Sequence, residues 1–510
     1  MSVSTLTMST IYPTPESFCV EDAWKPLPDS HWNPEAAAHL LRRIGFSATP
    51  ASVQKAAKRP ISETLDDAFS TTRALQKSKA LAEFEEGLFE RGRHIYKNVE
   101  DPEERRRLNQ EIRKDNSRLF REFAMQWFQF AREHDNSAQE KFVLFLQDIF
   151  VIDRRKVQDA PILFNYQDAL RRGIQLSYPE LCKIISREPG MVHYLDLKQN
   201  TAKKPNENFA RELFELFVLG EGNYSENDIK EASRAFTGYR LQKRIKFYYD
   251  RRQHDNGLKT VFGETGNWDG DEVVDIAFKQ KAARTFLVRE LLTFYLTDGR
   301  LPDDAYIEAL GDQWAENGFG LRYLIETVFQ SRMFYHPAFR GNMVKSPIHF
   351  YLGLCQDLQL DVVPFQQRLL QSMRVMGQDF YNPPNVRGWI YGQNWINSTT
   401  ISGRRQIVDF VFSPINEKRL NGNDQKALAE ARQAGRGEFR VSQARLAQVL
   451  KRDGDALAQQ LSTYFITELS RETYLEAMQT LIGNTRSDGA LYRARNAIIA
   501  LLQSPAYNLC

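Results

Sequence analysis

Along most of this chain apolar residues return every three or four positions, the spacing that gathers them on one face of a helix. The pattern starts clearly at "NPEAAAHLLRRIGF", where Asn33 suits a helix N-cap and Pro34 the first helical position. Over 74–134, charges alternate with apolar positions ("ALAEFEEGLFERGRHIY", then "RRRLNQEIRKDNSRLFREFAMQWFQFA"), predicting two amphipathic helices with solvated charged faces, broken near Asp101-Pro102. Helical patterns recur at 138–150, 161–187, 206–219, 226–236, 271–297, 303–316, 320–331, 346–358 and 364–376. The exception is "YRLQKRIKFYYDRRQHDNGLKTVFG", 239–263, with aromatic and branched residues on either side of Asn256-Gly257. That dipeptide tolerates positive φ, so one small hairpin turning there is expected.

Two helix starts are written alike. "GNYSENDIKEA" and "GNWDGDEVVDI" place Ser225 three residues before Asp228 and Asp269 three before Glu272, so each first side chain can accept from a helix N–H and each carboxylate faces the positive end of the dipole. The fold class expected is mainly α: an extended tail over 1–32, a large multi-helix domain over 33–419 with a β-hairpin insertion at about 239–263 and an aromatic loop at 379–397, a polar linker or excursion over 420–445, and a C-terminal helical lobe over 446–510.

Composition narrows the function classes. With 510 residues, 42% hydrophobic and 26% charged, the chain has the make-up of an ordinary soluble protein. Its 68 basic and 65 acidic residues leave +3, which predicts no global attraction to nucleic acid. The four cysteines are scattered without a CxxC pair, so they are read as buried or idle thiols. The first thirty residues lack a basic start followed by an apolar stretch, and no segment approaches about eighteen unbroken apolar residues, so a cytoplasmic location without membrane insertion is expected. Signature loops for nucleotides, nucleophilic serines and helical zinc sites are missing.

Candidate chemistry begins at "NFARELFELFVLG", 208–220, where Glu215 sits among Leu213, Phe214, Leu216, Phe217, Val218 and Leu219. On a regular helix Glu207, Arg211 and Glu215 would form an acid–base–acid ladder opposite the apolar face. Apolar Val218 and Leu219 on that side imply burial, so Glu215 is either a paired structural charge or a group whose pKa burial raises. Asn208, Arg211, Glu212 and Glu215 on this helix, and His254, Asp255 and Lys259 around the hairpin turn, are two polar clusters that a short connection could bring face to face; His254 equally suits a plain surface turn. The third cluster is "DFYNPPNVRGWIYGQNWIN", with Tyr381, Asn382, Arg387, Trp389, Tyr391 and Trp395. Its rings and amides suit a sugar-binding wall, or a plug that fills the core.

"HLLRRIGFSATP", "NENFARELFELFVLGEGNYSENDIKEASRAFTGY", "HDNGLKTVFGETGNWDGDEVVDI", "KSPIHF" and "MGQDFYNPPNVRGWIYGQNWIN", in that order, resemble successive blocks of the bacterial domain of unknown function 1800 family, from roughly residue 35 to the C-terminus. The resemblance implies a mainly helical fold without an agreed activity, in a family whose members are often exported and encoded beside a sulfatase-like family. Where many relatives carry Trp-His-x-His-Phe, this chain has "LQDIF" at 146–150, with Gln147 and Ile149 in the histidine places. An imidazole metal site there does not survive. Some relatives also have a histidine where Phe217 stands.

The functional expectation is a metal-independent acid–base hydrolase on a polar, glycan-like substrate, with no cofactor. Glu212 or Glu215 is the proton donor or base, His254 and Asp255 assist, and Asn208, Arg211, Lys259, Tyr381, Asn382, Arg387, Trp389 and Trp395 bind substrate. Two alternatives stand beside it: a divalent-metal hydrolase with Glu212, Glu215, Asp255 and His254 as ligands, and a non-catalytic partner of a sulfatase-like protein.

Overall fold

A computed structural model describes residues 19–510 apart from 71, 244, 450–453 and 468–470, and α-helices dominate it. Among the described residues the strands form only two small antiparallel sheets, β1 (Tyr239–Gln242) with β2 (Lys246–Tyr249) and β3 (Lys259–Val261) with β4 (Glu264–Gly266).

Helix Pro34–Ile44 starts as the sequence predicts, Asn33 Oδ1 accepting from the backbone N–H groups of Glu35 and Ala36. The segment before it is docked rather than extended. Trp24 is buried and its Nε1 donates to the Tyr306 carbonyl at 2.8 Å, while the Leu27 N–H donates to the Gln330 carbonyl at 2.7 Å. Residues 1–18 of the expected tail lie outside the described residues.

The amphipathic pair is Lys79–Asn98 and Pro102–Arg132, and Asp101 caps the second by accepting from the N–H groups of Glu103 and Glu104. Helix Pro102–Arg132 leaves its first turns largely in solvent and buries Phe120, Phe123, Trp127 and Phe128 further on. Helices His134–Ile149, Ala160–Gly173 and Pro347–Asp357 pack against that end. One ion pair lies in this core: Arg171 (1% exposed) reaches Glu140 (0%) through Nε–Oε1 at 2.6 Å and Nη2–Oε2 at 2.8 Å, and Trp127 Nε1 donates to Oε2 at 2.7 Å. Both carboxylate oxygens are thereby satisfied, which a buried charge requires.

Two expectations need correction. The turn is not at Asn256-Gly257, and there are two hairpins rather than one. The first reverses between Gln242 and Lys246, the second at Phe262-Gly263, whose φ angles of 48° and 81° supply the tight turn. Asn256-Gly257 joins the sheets instead, because Asp255 Oδ1 accepts from the Gly257 N–H at 2.8 Å and makes a side-chain turn there.

The acid–base–acid ladder forms only in its first half, Glu207 with Arg211, and Glu215 is not part of it. The helix is regular over Asn208–Glu212 and then widens into a π turn over Leu213–Val218; the Leu219 and Gly220 N–H groups donate to the Phe214 carbonyl at 2.9 and 3.1 Å. Arg211 is drawn the other way, to Glu207 at 3.2 Å and, by two bonds of 2.9 and 2.8 Å, to Glu226 at the start of helix Glu226–Ala235. Both predicted capping boxes, Ser225 with Asp228 and Asp269 with Glu272, are present.

Within 420–445 lies helix Gly422–Gln433, whose Leu428 and Ala431 are buried, as is Phe439 beyond it. No helix among the described residues is long and apolar enough to cross a membrane.

Candidate functional site

The π turn decides where Glu215 points. Its carboxylate accepts from Tyr224 Oη at 2.8 Å and from Arg387 Nη2 at 2.9 Å, and Arg387 also pairs with Glu221. Glu215 thus edges a cleft of about 840 Å³ built from the end of helix His134–Ile149, the π turn and the chain just after it, helix Lys281–Tyr295, and residues 386–391.

Three acids besides Glu215 define the inner wall. Asp148, at the end of helix His134–Ile149, accepts from the Trp389 backbone N–H at 2.8 Å and from the Tyr391 hydroxyl. Burial pushes its carboxyl well above the ordinary range, partly offset by the Trp389 N–H and reinforced by the Glu290 charge. Glu290, on helix Lys281–Tyr295, has no hydrogen-bond or ion-pair partner among the described residues, and burial alone raises its pKa. Asp298 accepts from the Val344 N–H at 2.8 Å and is likewise raised, mainly by burial.

Loop 379–397 serves as both plug and wall. Phe380 stacks on Trp127 with centroids 4.8 Å apart, and the Tyr381 hydroxyl accepts from Gln147 Nε2 at 2.7 Å and donates to the Leu163 carbonyl at 3.2 Å, so this end fills the core. Farther along, Arg387, Trp389 and Tyr391 face the cleft. Gly388 makes the crossing feasible. Its φ is 82°, and a Cβ there would run into the Asp148 carboxylate. Trp395 is buried beneath Tyr391, with centroids 6.4 Å apart.

Of the residues expected to form a site, the structure brings Glu215, Arg387 and Trp389 into one cleft. The hairpin cluster stays apart. Asp255 is clamped by Arg234 through bonds of 2.7 and 3.2 Å, which hold its pKa down. His254 is buried against Tyr249, and its Nδ1 donates to the Thr237 carbonyl at 3.0 Å. Lys259 donates to the Gly257 carbonyl and Asn267 Oδ1 at 3.1 and 3.2 Å, its pKa lowered first by burial. Glu212 is half-buried beside the π turn, its pKa raised by burial and then by the Glu215 charge, without lining the cleft. Asn208 is exposed at the helix start, and Asn382 donates to Asp379 at 2.9 Å. The four donors of the metal alternative are therefore not gathered, and among the described residues no three His, Cys, Asp or Glu side chains are placed to hold one ion.

A family model described as protein of unknown function, DUF1800, matches residues 39–509. The chain belongs to the DUF1800 family. No curated protein and no solved structure matches it. In this DUF1800 protein the "LQDIF" segment, where many relatives are expected to carry two histidines, forms part of the cleft: Asp148 and Ile149 line it, while Gln147 turns inward to Tyr381.

Sequence reasoning passed over Asp148 and Glu290, and named Tyr391 in the aromatic cluster without counting it among the substrate-binding residues. A signal for Glu290 was there. "FLVRELLTFY", 286–295, strands an acid among apolar residues just as "ARELFELF" does. Asp148 gave the same signal in "FLQDIF", 145–150, but its partners, 241 and 243 positions away, left no trace in the local pattern.

Proposed function

We propose that this cleft is the active site of an acid–base hydrolase acting on a polar, glycan-like substrate. In this reading Glu290 is the proton donor: it is unpaired, faces the cleft, and burial favours its protonated form. Glu215, fixed by Tyr224 and Arg387, is the base that activates water. Tyr391, oriented by Asp148, and Trp389 form the wall against which a sugar ring would lie. The observation that carries the reading is one cleft holding an unpartnered carboxyl and an anchored carboxylate beside two aromatic residues. The assignment gives Glu290 the proton-donor role that the sequence left open between Glu212 and Glu215, and leaves His254 and Asp255 outside the chemistry.

The test is hydrolysis of a panel of neutral and charged oligosaccharides by the purified protein, with Glu290→Gln and Glu215→Gln beside it. Each substitution is expected to lower kcat by about a hundredfold or more. Turnover at the parental rate in both variants would refute the assignment.

A further inference from the structure

A second cleft, of about 520 Å³ and sharing no residue with the first, is walled by Arg121, Arg154, Arg368 and Arg374, with Gln367 and Gln371 beside them. Arg121 comes from helix Pro102–Arg132, Arg154 from the segment after helix His134–Ile149, and the others from helix Gln366–Val375. Asp379 is the one carboxylate among its described lining residues.

The charges do not balance. Arg368 is engaged with Asp424 at 3.2 Å, and Arg374 reaches Asp379 only at 3.7 Å. Arg121 and Arg154 have no carboxylate partner among the described residues. Arg154 is nevertheless held in place: its guanidinium carbon lies 4.1 Å from the centre of the Phe120 ring, and its backbone N–H donates to the Tyr381 carbonyl at 2.8 Å. Burial disfavours its charge; Asp379 supports it, and Arg121 and Arg374 oppose it. A guanidinium stacked by its face keeps its N–H edge free, the edge that matches the oxygens of a phosphate. Two uncompensated positive charges, with two more guanidinium groups around them, call for a doubly charged ligand. A carboxylate or a sulfate ester carries only one charge, whereas a phosphate monoester carries close to two at neutral pH. Because Arg368 and Arg374 are more than half exposed, the cleft suits the end of a larger hydrophilic molecule rather than an engulfed one.

We propose that Arg121, Arg154, Arg368 and Arg374 form a binding site for a phosphate monoester group. It is independent of the acid–base reading of the first cleft.

The experiment is calorimetric titration of the full-length protein at fixed ionic strength and pH 8 with glycerol phosphate, inorganic phosphate, and a sugar sulfate monoester. One phosphate monoester per chain is expected to bind about tenfold more tightly than the sulfate monoester. Inorganic phosphate binding as well as glycerol phosphate would identify the dianion alone as the recognised group. Arg121→Gln, which removes a side chain away from the core, should weaken phosphate binding about tenfold, and Arg154→Gln at least as much; Arg300→Gln, a remote control, should leave it unchanged. The proposal is overturned if no phosphate compound binds at a defined stoichiometry, if the sulfate monoester binds equally well, or if folded Arg121→Gln binds like the parent.

Discussion

Arg387 Nη2 and Glu215 Oε1, 172 positions apart in the chain, stand 2.9 Å from each other across the mouth of the first cleft. The arginine is 55% exposed and the glutamate 21%, so solvent screens the pair. Such a pair contributes about 0–1 kcal/mol to stability. Arg387→Gln is therefore expected to move Tm by no more than a few degrees while strongly reducing turnover of a substrate bound in the cleft. Thermal melts and kinetics on the same preparation check it; a large loss of Tm would make the pair a structural strut instead.

Gly388 allows the loop to reach Asp148. Gly388→Ala forces a side chain into a φ of 82° and against the Asp148 carboxylate. The expected loss is about 1–3 kcal/mol, together with faster amide exchange at Trp389, whose N–H now bonds Asp148. Denaturant unfolding and hydrogen exchange report both.

Glu140 and Arg171 meet with both side chains almost fully buried. Removing only the acid, as in Glu140→Ala, leaves the Trp127 N–H without its acceptor and the buried Arg171 guanidinium with Asp168 alone, at 3.3 Å. A loss of about 3–5 kcal/mol is expected, read as a drop in the urea midpoint. A change under about 1 kcal/mol would mean that water satisfies the arginine.

Glu188 provides a pH signature. Burial, the largest influence, pushes its carboxyl up to about 7, with Arg172 opposing and Asp168 adding to the shift. Between the ordinary carboxylate range and about pH 7 the folded chain holds this proton more tightly than the unfolded chain does, so stability falls as pH rises through that window. In Glu188→Gln that part of the decline should vanish. Unfolding free energies at pH 4.5, 6 and 7.5 decide it: parallel curves for variant and parent would remove Glu188 from the account.

The sequence by itself determined the local structure. Apolar spacing fixed the helices, and Asn33, Asp101, Ser225 and Asp269 marked their starts, because caps and amphipathic faces depend on residues a few positions apart. It also singled out Glu215 and loop 379–397, since an acid in an apolar run and a ring-rich proline–glycine stretch are visible in one dimension. Only the tertiary structure decided which groups meet. Arg211 had two acids in reach at helical spacing and took Glu207 with the distant Glu226; Glu215, turned by the π widening, took Arg387. The hairpin histidine, close to Glu215 in sequence, ended on Thr237, while Glu290, 75 positions away from Glu215, shares its cleft. Ion pairs and burial depend on distances through space, and helical periodicity carries no record of what lies on the other side of a packed face.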